Sequence, residues 1–272
     1  MKPLQGKTII VTGSSRGIGR EIALRCAADG ANLVIAAKSA EPHPKLPGTI
    51  YSVAKEVEAA GGKALPIVLD VRNEENVQEM VRKTVEDFGG IDALVNNAGA
   101  ISLTATDQTP MKRYDLMQQV NARAVFLCSQ ACFPFLQKSK GAHIINLSPP
   151  ISLDAKWLAG HVAYTMSKFG MTLCTIGMAA EFEAYNISVS SLWPRTLINT
   201  AAVQMLMGGA GEKHSRTPRI VADAAYAILC SDTKRYSGRA VLDEQVLGEN
   251  GVKDFSGYSC VPGQELLPDL YV

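Results

Sequence analysis

Thr12-Gly13-Ser14-Ser15-Arg16-Gly17-Ile18-Gly19 stands between an apolar run, Thr8-Ile9-Ile10-Val11, and the segment from Glu21 to Ala28. The run reads as a buried strand. Ile22, Leu24/Arg25 and Cys26 then fall at roughly helical spacing, so the glycines sit in a strand-to-helix turn. Such a turn can hold the phosphates of a dinucleotide, because the freed N–H groups and the positive end of the helix dipole face the phosphate charge. Glycine serves three purposes there: one adopts a backbone conformation that a Cβ disfavours, one lets the main chain approach the pyrophosphate, and one lets the helix press on the strand. The spacing is Gly13, Gly17, Gly19, a G-x-x-x-G-x-G arrangement rather than G-x-G-x-x-G.

The chain has 272 residues and a formal net charge of +1. That length is enough for a single α/β domain with a large core. The balanced charge offers no electrostatic footprint for nucleic acid or an acidic membrane surface, so no nucleic-acid partner is expected. No apolar run approaches the length of a membrane span, and Met1–Lys7 carries no signal-peptide core. The last residues, Asp269-Leu270-Tyr271-Val272, form no peroxisomal or prenylation signal. A soluble, cytoplasmic protein is expected. Six cysteines (Cys26, Cys128, Cys132, Cys174, Cys230, Cys260) make no C-x-x-C pair, and with the scattered His43, His143, His161 and His214 they suggest no metal site.

Strand and helix patterns alternate along the chain. Strands are read at Leu33–Ala37, Ala64–Val71, Ile91–Asn96, Ala142–Ser148, Ile187–Trp193 and Arg239–Asp243, after the first at Thr8–Val11. Helices are read at Ile50–Ala60, from the Asn73 cap to Phe88 with Gly89-Gly90 closing it, at Met111–Gln137 with a bend or end near Pro134, at Val162–Tyr185 and at Arg219–Cys230. Lys38–Gly48, with Pro42, Pro44 and Pro47, must be a loop. Seven apolar strands separated by helices predict one doubly wound α/β domain of Rossmann type, its seven-stranded parallel sheet covered on both faces. No linker or repeat divides residues 1–272, and residues 248–272 are expected to pack as an extended arm.

Open α/β sheets bind ligands beyond the carboxyl ends of their strands. Those ends carry the glycine turn, Asp70-Val71, Asn96-Asn97-Ala98-Gly99, Ser148 and Trp193-Pro194-Arg195, with Asn121 in one following helix and Tyr164-Thr165-Met166-Ser167-Lys168 in the next. Tyr164 and Lys168 are four residues apart and share a helix face, which suits an acid/base pair. Bringing a tyrosine from its ordinary pKa near 10 to neutral pH takes about 3 units, or roughly 4 kcal/mol. A nearby ammonium stabilises the phenolate, and an oxidised nicotinamide would add to it.

The combination TGxxxGxG, Asp70, NNAG, Asn121 and Tyr164/Lys168, in this order, closely resembles the short-chain dehydrogenase/reductase family over residues 6 to about 245. The resemblance implies that Gly13, Ser15, Arg16, Gly17, Ile18 and Gly19 hold phosphate and adenosine ribose, that Asp70 and Val71 flank the adenine, and that Asn96, Asn97, Ala98 and Gly99 line the cofactor cleft. It implies that Tyr164 exchanges a proton with the substrate oxygen, Lys168 tunes it, and Asn121 holds a water in a proton relay. Ala36-Ala37-Lys38 with Pro42-His43-Pro44-Lys45, Asn146-Leu147-Ser148-Pro149-Pro150, Trp193-Pro194-Arg195-Thr196 and Leu242-Asp243-Glu244 look like the hydroxysteroid-dehydrogenase-like subgroup. Larger members of that subgroup carry a sterol-carrier domain after the reductase domain, so the resemblance covers the catalytic half.

Two departures stand out. The family usually places a serine thirteen residues before the tyrosine, where this chain has Ile151. Ser148, at a strand end, is the favoured donor; Ser152 or no donor at all are the alternatives. The usual Pro–Gly is Pro194-Arg195, whose arginine either binds a carboxylate or thioester substrate or pairs with an acid. The position where an NAD site wants a carboxylate is Ala37, followed by Lys38, and Arg16 lies in the glycine turn. Two cations and no carboxylate suit a 2′-phosphate, so NADP(H) is expected over NAD(H), with Lys38 as phosphate ligand or as a solvated loop charge. Ile101, Leu103, Ile151, Leu153, Trp157, Leu158, Met205, Leu206 and Met207 suggest an apolar pocket for an aliphatic, terpenoid or sterol-like substrate. The function expected is an NAD(P)-dependent oxidoreductase interconverting a hydrophobic alcohol and its aldehyde or ketone; the alternative is a catalytically weak NADP(H)-binding sensor. Family resemblance also implies a homodimer or homotetramer through the two long helices.

Overall fold

The apolar runs form seven parallel strands in the order β3-β2-β1-β4-β5-β6-β7. They are β1 Thr8–Thr12, β2 Asn32–Ala37, β3 Lys63–Val68, β4 Ala93–Asn96, β5 Ala142–Asn146, β6 Ile187–Trp193 and β7 Ala240–Leu242. The helices between them are α1 Gly17–Ala27, α2 Ile50–Ala59, α3 Glu74–Phe88, α4 Met111–Gln118, α5 Ala124–Leu136, α6 Val162–Phe182, α7 Ala201–Met207, α8 Gly209–Lys213, α9 Arg219–Leu229, α10 Thr233–Tyr236 and α11 Asp243–Glu249. This computed structural model describes residues 2–44 and 46–272; Met1 and Lys45 lie outside the described residues.

Apolar side chains fill both faces of the sheet, as continuous strand runs require. Ile9, Val11, Leu33 and Ile35 pack one face against α1, α2 and α9, where Ile22, Val53 and Ile228 are fully buried. Ile10, Val34, Leu94 and Ile144 pack the other against Met80, Cys128 and Leu136. β3 is an edge strand, which accommodates Pro66 within it. Asn73 caps α3 by accepting from the Asn76 N–H at 2.8 Å, and Gly89 closes that helix with φ 82°.

The long helical pattern of 111–137 ends near Pro134, as expected, and departs from expectation at one other place. It passes Pro134 and ends at Leu136, and its real irregularity is a π-helical turn at Gln119–Arg123. Pro134 has no N–H to donate to Gln130 O, and the helix continues for only two residues beyond it. The widened turn is fixed by tertiary bonds of Asn121, described below. Short α7, α8, α10 and α11 escaped the periodicity because each is under two turns or nearly so. No helix of the described residues is long and apolar enough to cross a membrane.

The sheet order reverses direction of travel between β1 and β4, and the crevice opens there. The segment after α11 is mostly irregular. It runs back under the carboxyl end of β6, where Thr196 bridges Pro268 in antiparallel fashion.

Candidate active site

The glycine turn is built by contacts on both sides. Gly13 has φ 68°, and a Cβ there would sit 2.8 Å from Ala98 Cα. Gly17 has φ 57°. A Cβ on Gly19 would meet Asn97 Nδ2 at 2.4 Å, so this is the glycine that lets the helix seat itself. Thr12 Oγ1 accepts from the N–H groups of Asn97 and Ala98, each at 3.1 Å, and Asn97 Nδ2 donates to Thr12 O at 2.9 Å and Gly13 O at 3.1 Å. The ends of β1 and β4 are thereby stitched into one rim.

Along that rim runs a cleft of about 750 Å³. Of the predicted cofactor residues it is lined by Gly13, Ser15, Arg16, Gly17, Ile18, Lys38, Asp70, Val71, Asn97, Ala98, Gly99, Tyr164 and Lys168. Gly19 stands behind the turn, as its contacts require. Asn96 also stands outside the lining: it is buried and donates to Asn146 Oδ1 at 2.9 Å, so the expectation that it faces the cleft is corrected. A main chain with two left-handed glycines and no side chain in the way fits a dinucleotide's phosphates.

The end of the cleft at Arg16, Lys38 and Asp70 carries charge the sequence reading only partly found. Arg16 donates from Nε to Pro47 O at 3.0 Å and from its terminal nitrogen to Ser39 Oγ at 3.0 Å and Gly48 O at 3.1 Å. It ties the glycine turn to the proline-rich loop, and burial lowers its pKa. Lys38 pairs with Asp70 at 3.2 Å, and Arg72 grips the same carboxylate at 2.6 Å. The Arg72 hydrogen bond, ahead of Lys38, holds the Asp70 carboxyl below the usual carboxylate range. Three cations to one carboxylate leave this end positive. Arg72 was missed, although its place two residues after Asp70 was a usable signal.

At the other end, α6 delivers Tyr164 and Lys168. Both are buried, at 5 % exposure each, and both line the cleft. Lys168 Nζ donates to Leu147 O at 2.8 Å and lies 5.0 Å from the centre of the Trp193 ring. Burial pushes Lys168 down to about 8, against the pull of Asp269. Burial also pushes the Tyr164 hydroxyl well above 10, with Tyr271 and Asp269 adding to it. In the protein alone the direction is opposite to the lowering that the acid/base role requires: loss of water dominates, and Tyr271 and Asp269 act the same way.

Asn121 is fully buried in the π-helical turn. Its Oδ1 accepts from Ala100 N at 2.9 Å, while Nδ2 donates to Ala100 O at 2.9 Å and Ser167 Oγ at 2.8 Å. The side chain is thus spent on joining the β4 exit loop to α6, and it is not among the cleft's lining residues. Ser148 is fully buried too; its hydroxyl donates to Ser191 Oγ at 2.8 Å and accepts from Thr172 at 3.0 Å. The structure does not bring Ser148 into the cleft. Ser152 lies in the loop before α6 and accepts from Asp154 N at 3.3 Å. Arg195 pairs with Glu244 at 3.4 Å, the acid-pairing alternative of the sequence reading.

The apolar part of the cleft is formed by Ile101, Met205 and Leu206, as expected, with Leu116, Val120, Ala201 and Ala202 in addition. Trp157 and Leu158 are not among the lining residues and pack with Tyr271 and Trp193 in a cluster that also contains Tyr164 and Ile101. Leu153 is exposed at 85 %.

The short chain dehydrogenase family pattern matches residues 7–208. Hydroxysteroid dehydrogenase-like protein 2 of Xenopus tropicalis is 55% identical over 269 residues, covering 99% of this chain and 64% of the relative. The chain therefore spans less than two thirds of the length of that relative. A short chain dehydrogenase structure from Mycobacterium thermoresistibile is 53% identical, with TM-score 0.94 over 99% of this chain and 96% of the other. A metagenomic short-chain oxidoreductase in complex with NADP matches with TM-score 0.73 at 26% identity, over 88% and 97% of the two chains. A 7α-hydroxysteroid dehydrogenase complexed with NADH and 7-oxo glycochenodeoxycholic acid matches with TM-score 0.76 at 26% identity, over 88% and 93%. The fold agrees with these structures, and the chain belongs to the short-chain dehydrogenase family of NAD(P)-binding oxidoreductases.

Proposed function

We propose that this chain is an NADP(H)-dependent oxidoreductase interconverting a hydrophobic alcohol (aliphatic, terpenoid or sterol-like) and its aldehyde or ketone, with Tyr164 as proton donor and acceptor. One observation carries the reading: a single cleft joins the Arg16–Lys38–Arg72 end to Tyr164, Lys168 and the apolar wall of Ile101, Met205 and Leu206. When bound, the dinucleotide supplies or accepts hydride. Gly13, Ser15, Arg16, Gly17 and Ile18 would hold its phosphates, Asp70 and Val71 its adenine, and Lys38 with Arg16 and Arg72 its 2′-phosphate. Tyr164 holds a proton at its hydroxyl and passes it to or takes it from the substrate oxygen. Lys168 contributes positive charge beside that oxygen, and the buried walls exclude water. Six free cysteines support a reducing compartment and, with it, a cytoplasmic location.

The placement of Ser148 favours a second reading, a cofactor-binding sensor with weak catalysis, because its hydroxyl is already spent on Ser191 and Thr172. Cofactor oxidation with NADPH and NADH against medium-chain, terpenoid and steroid aldehydes and ketones separates the two. Turnover with NADPH that Tyr164→Phe abolishes is the expected outcome. Tight NADPH binding with no turnover across the panel would establish the sensor instead.

A homodimer or homotetramer is part of the proposal. α5 and α6 leave Phe126, Met166, Leu173 and Ile176 half-exposed or more, an apolar face suited to a second copy.

A further inference from the structure

Trp193 closes β6 in the Trp193-Pro194-Arg195-Thr196 stretch, which the proposed chemistry leaves without a use. A residue before proline is biased to extended backbone, and Trp193 pairs in register with Leu242 of β7. Its indole Nε1 donates to Leu270 O at 2.9 Å, and its ring packs against that of Tyr271 at a centroid distance of 6.2 Å. Backbone, hydrogen bond and packing together fix the plane of this buried ring.

The face of the ring meets the Lys168 ammonium, whose Nζ stands over it at 5.0 Å from the centre. Among the described residues this buried lysine makes no ion pair. Nζ donates to Leu147 O at 2.8 Å, at the exit of β5, and reaches Met171 Sδ on its own helix at 3.7 Å. A Cβ built on Gly99 would lie 3.9 Å from Nζ, so the amine stands beside the loop leaving β4, and it lines the cleft. An ammonium carries three N–H groups. One carbonyl and one weakly accepting sulfur engage two of them, and the third remains for the cleft. The titratable groups around it are Tyr164, one turn back on α6, and Asp269, which bears on it from beyond ion-pair distance. A charge held away from water with no carboxylate against it is costly unless another group balances it. The negative face of an indole is the best aromatic partner for a cation, and the attraction grows as water is removed.

We propose that Trp193 is a positioning residue for Lys168: its ring face, fixed at the end of β6, balances the buried ammonium in place of a carboxylate. The proposal rests on the reading of Lys168 as the cationic member of the acid/base pair. A carboxylate would draw the ammonium N–H groups onto its own oxygens. A ring face attracts the charge and claims no directed hydrogen bond, so the amine keeps a donor for the cleft. Burial pushes Lys168 down to about 8. The ring acts the other way and favours the charged form, the one that can stabilise a phenolate on Tyr164.

The test reads the contact from both partners. The chain has two tryptophans, so Trp157→Phe leaves Trp193 as the one indole. Its emission in the full chain, without cofactor, is expected to shift with a midpoint at about 8, where Lys168 loses its proton. The shift is expected to vanish when Lys168→Met is added. An emission that does not titrate, or that titrates equally with and without Lys168, overturns the proposal. From the other side, the chain is labelled with 13Cε-lysine and the Lys168 signal is assigned by its loss in Lys168→Met. Trp193→Leu is expected to lower the Lys168 midpoint by about 0.5–1 pH unit, a three- to tenfold change in the protonation constant, and Trp193→Phe by less. Midpoints in both variants equal to or above wild type overturn the proposal. If the Trp193 variants do not fold, the emission titration, which keeps Trp193 in place, decides. The functional reading fails separately: turnover that survives Tyr164→Phe removes the acid/base assignment and leaves both titrations standing.

Discussion

The Asn121 side-chain amide and the Ala100 backbone exchange two hydrogen bonds, both at 2.9 Å. The pair locks the loop leaving β4 to the π-helical turn, and a third bond to Ser167 carries the lock to α6. Asn121→Ala leaves the Ala100 N–H and C=O without these partners in a fully buried place. A destabilisation of about 2–4 kcal/mol is expected. It should appear as a lower denaturant midpoint with an unchanged slope, and a loss under 1 kcal/mol would show that the loop finds other partners.

Lys38 divides its charge between Asp70 and the cleft. If it serves a 2′-phosphate, Lys38→Ala should weaken NADPH binding about three- to tenfold and leave NADH within about twofold, a modest effect because the ammonium is largely solvated. Isothermal titration of both cofactors decides this. An equal loss for the two would remove the phosphate role and, with it, the main support for NADP(H).

His143 sits in β5 at 5 % exposure, its Nδ1 without a partner among the described residues. Burial pushes its pKa down to about 4. The unfolded chain takes up a proton near pH 6.5 and the folded one only near 4, so between these values the unfolded state binds more protons. Stability therefore rises with pH through this window and is lost as pH falls from 6.5 to 4. Asp269 and Asp243, pushed up to about 7 and about 6, act in the opposite sense. His143→Gln removes only the histidine's share. Its stability should drop by about 2–3 kcal/mol less than wild type between pH 7 and 4. Urea unfolding at the two pH values measures the difference, and identical drops would refute the assignment.

Leu173 is 61 % exposed on the outer face of α6, near Met166 and Ile176 along the same helix. A carboxylate there would be buried without a partner if a second copy covers the face. Leu173→Glu is expected to shift light-scattering mass toward the monomer without loss of the parallel-sheet fold. A wild-type protein that is already monomeric at micromolar concentration would end the oligomer proposal.

The alternation of apolar runs with helical patterns, the Asn73 and Gly89 caps, and the glycine turn were legible because each depends on local chemistry: periodicity, side-chain capping and a backbone that needs φ above zero. So was the gathering of Gly13, Asp70, Asn97, Tyr164 and Lys168, since a doubly wound sheet brings its strand ends to one rim whatever the details. Other features depended on packing between segments far apart in the chain. Ser148 ends a strand, yet its hydroxyl faces Ser191 and Thr172 rather than the cleft, and no local signal distinguishes those directions. The segment of Asp269, Leu270 and Tyr271 reaches the end of β6 and the side of α6 through bonds to Arg195, Trp193 and Thr165 that only the folded chain creates. The direction of the Tyr164 shift belongs with them, because desolvation is a property of the surrounding volume rather than of the Y-x-x-x-K spacing.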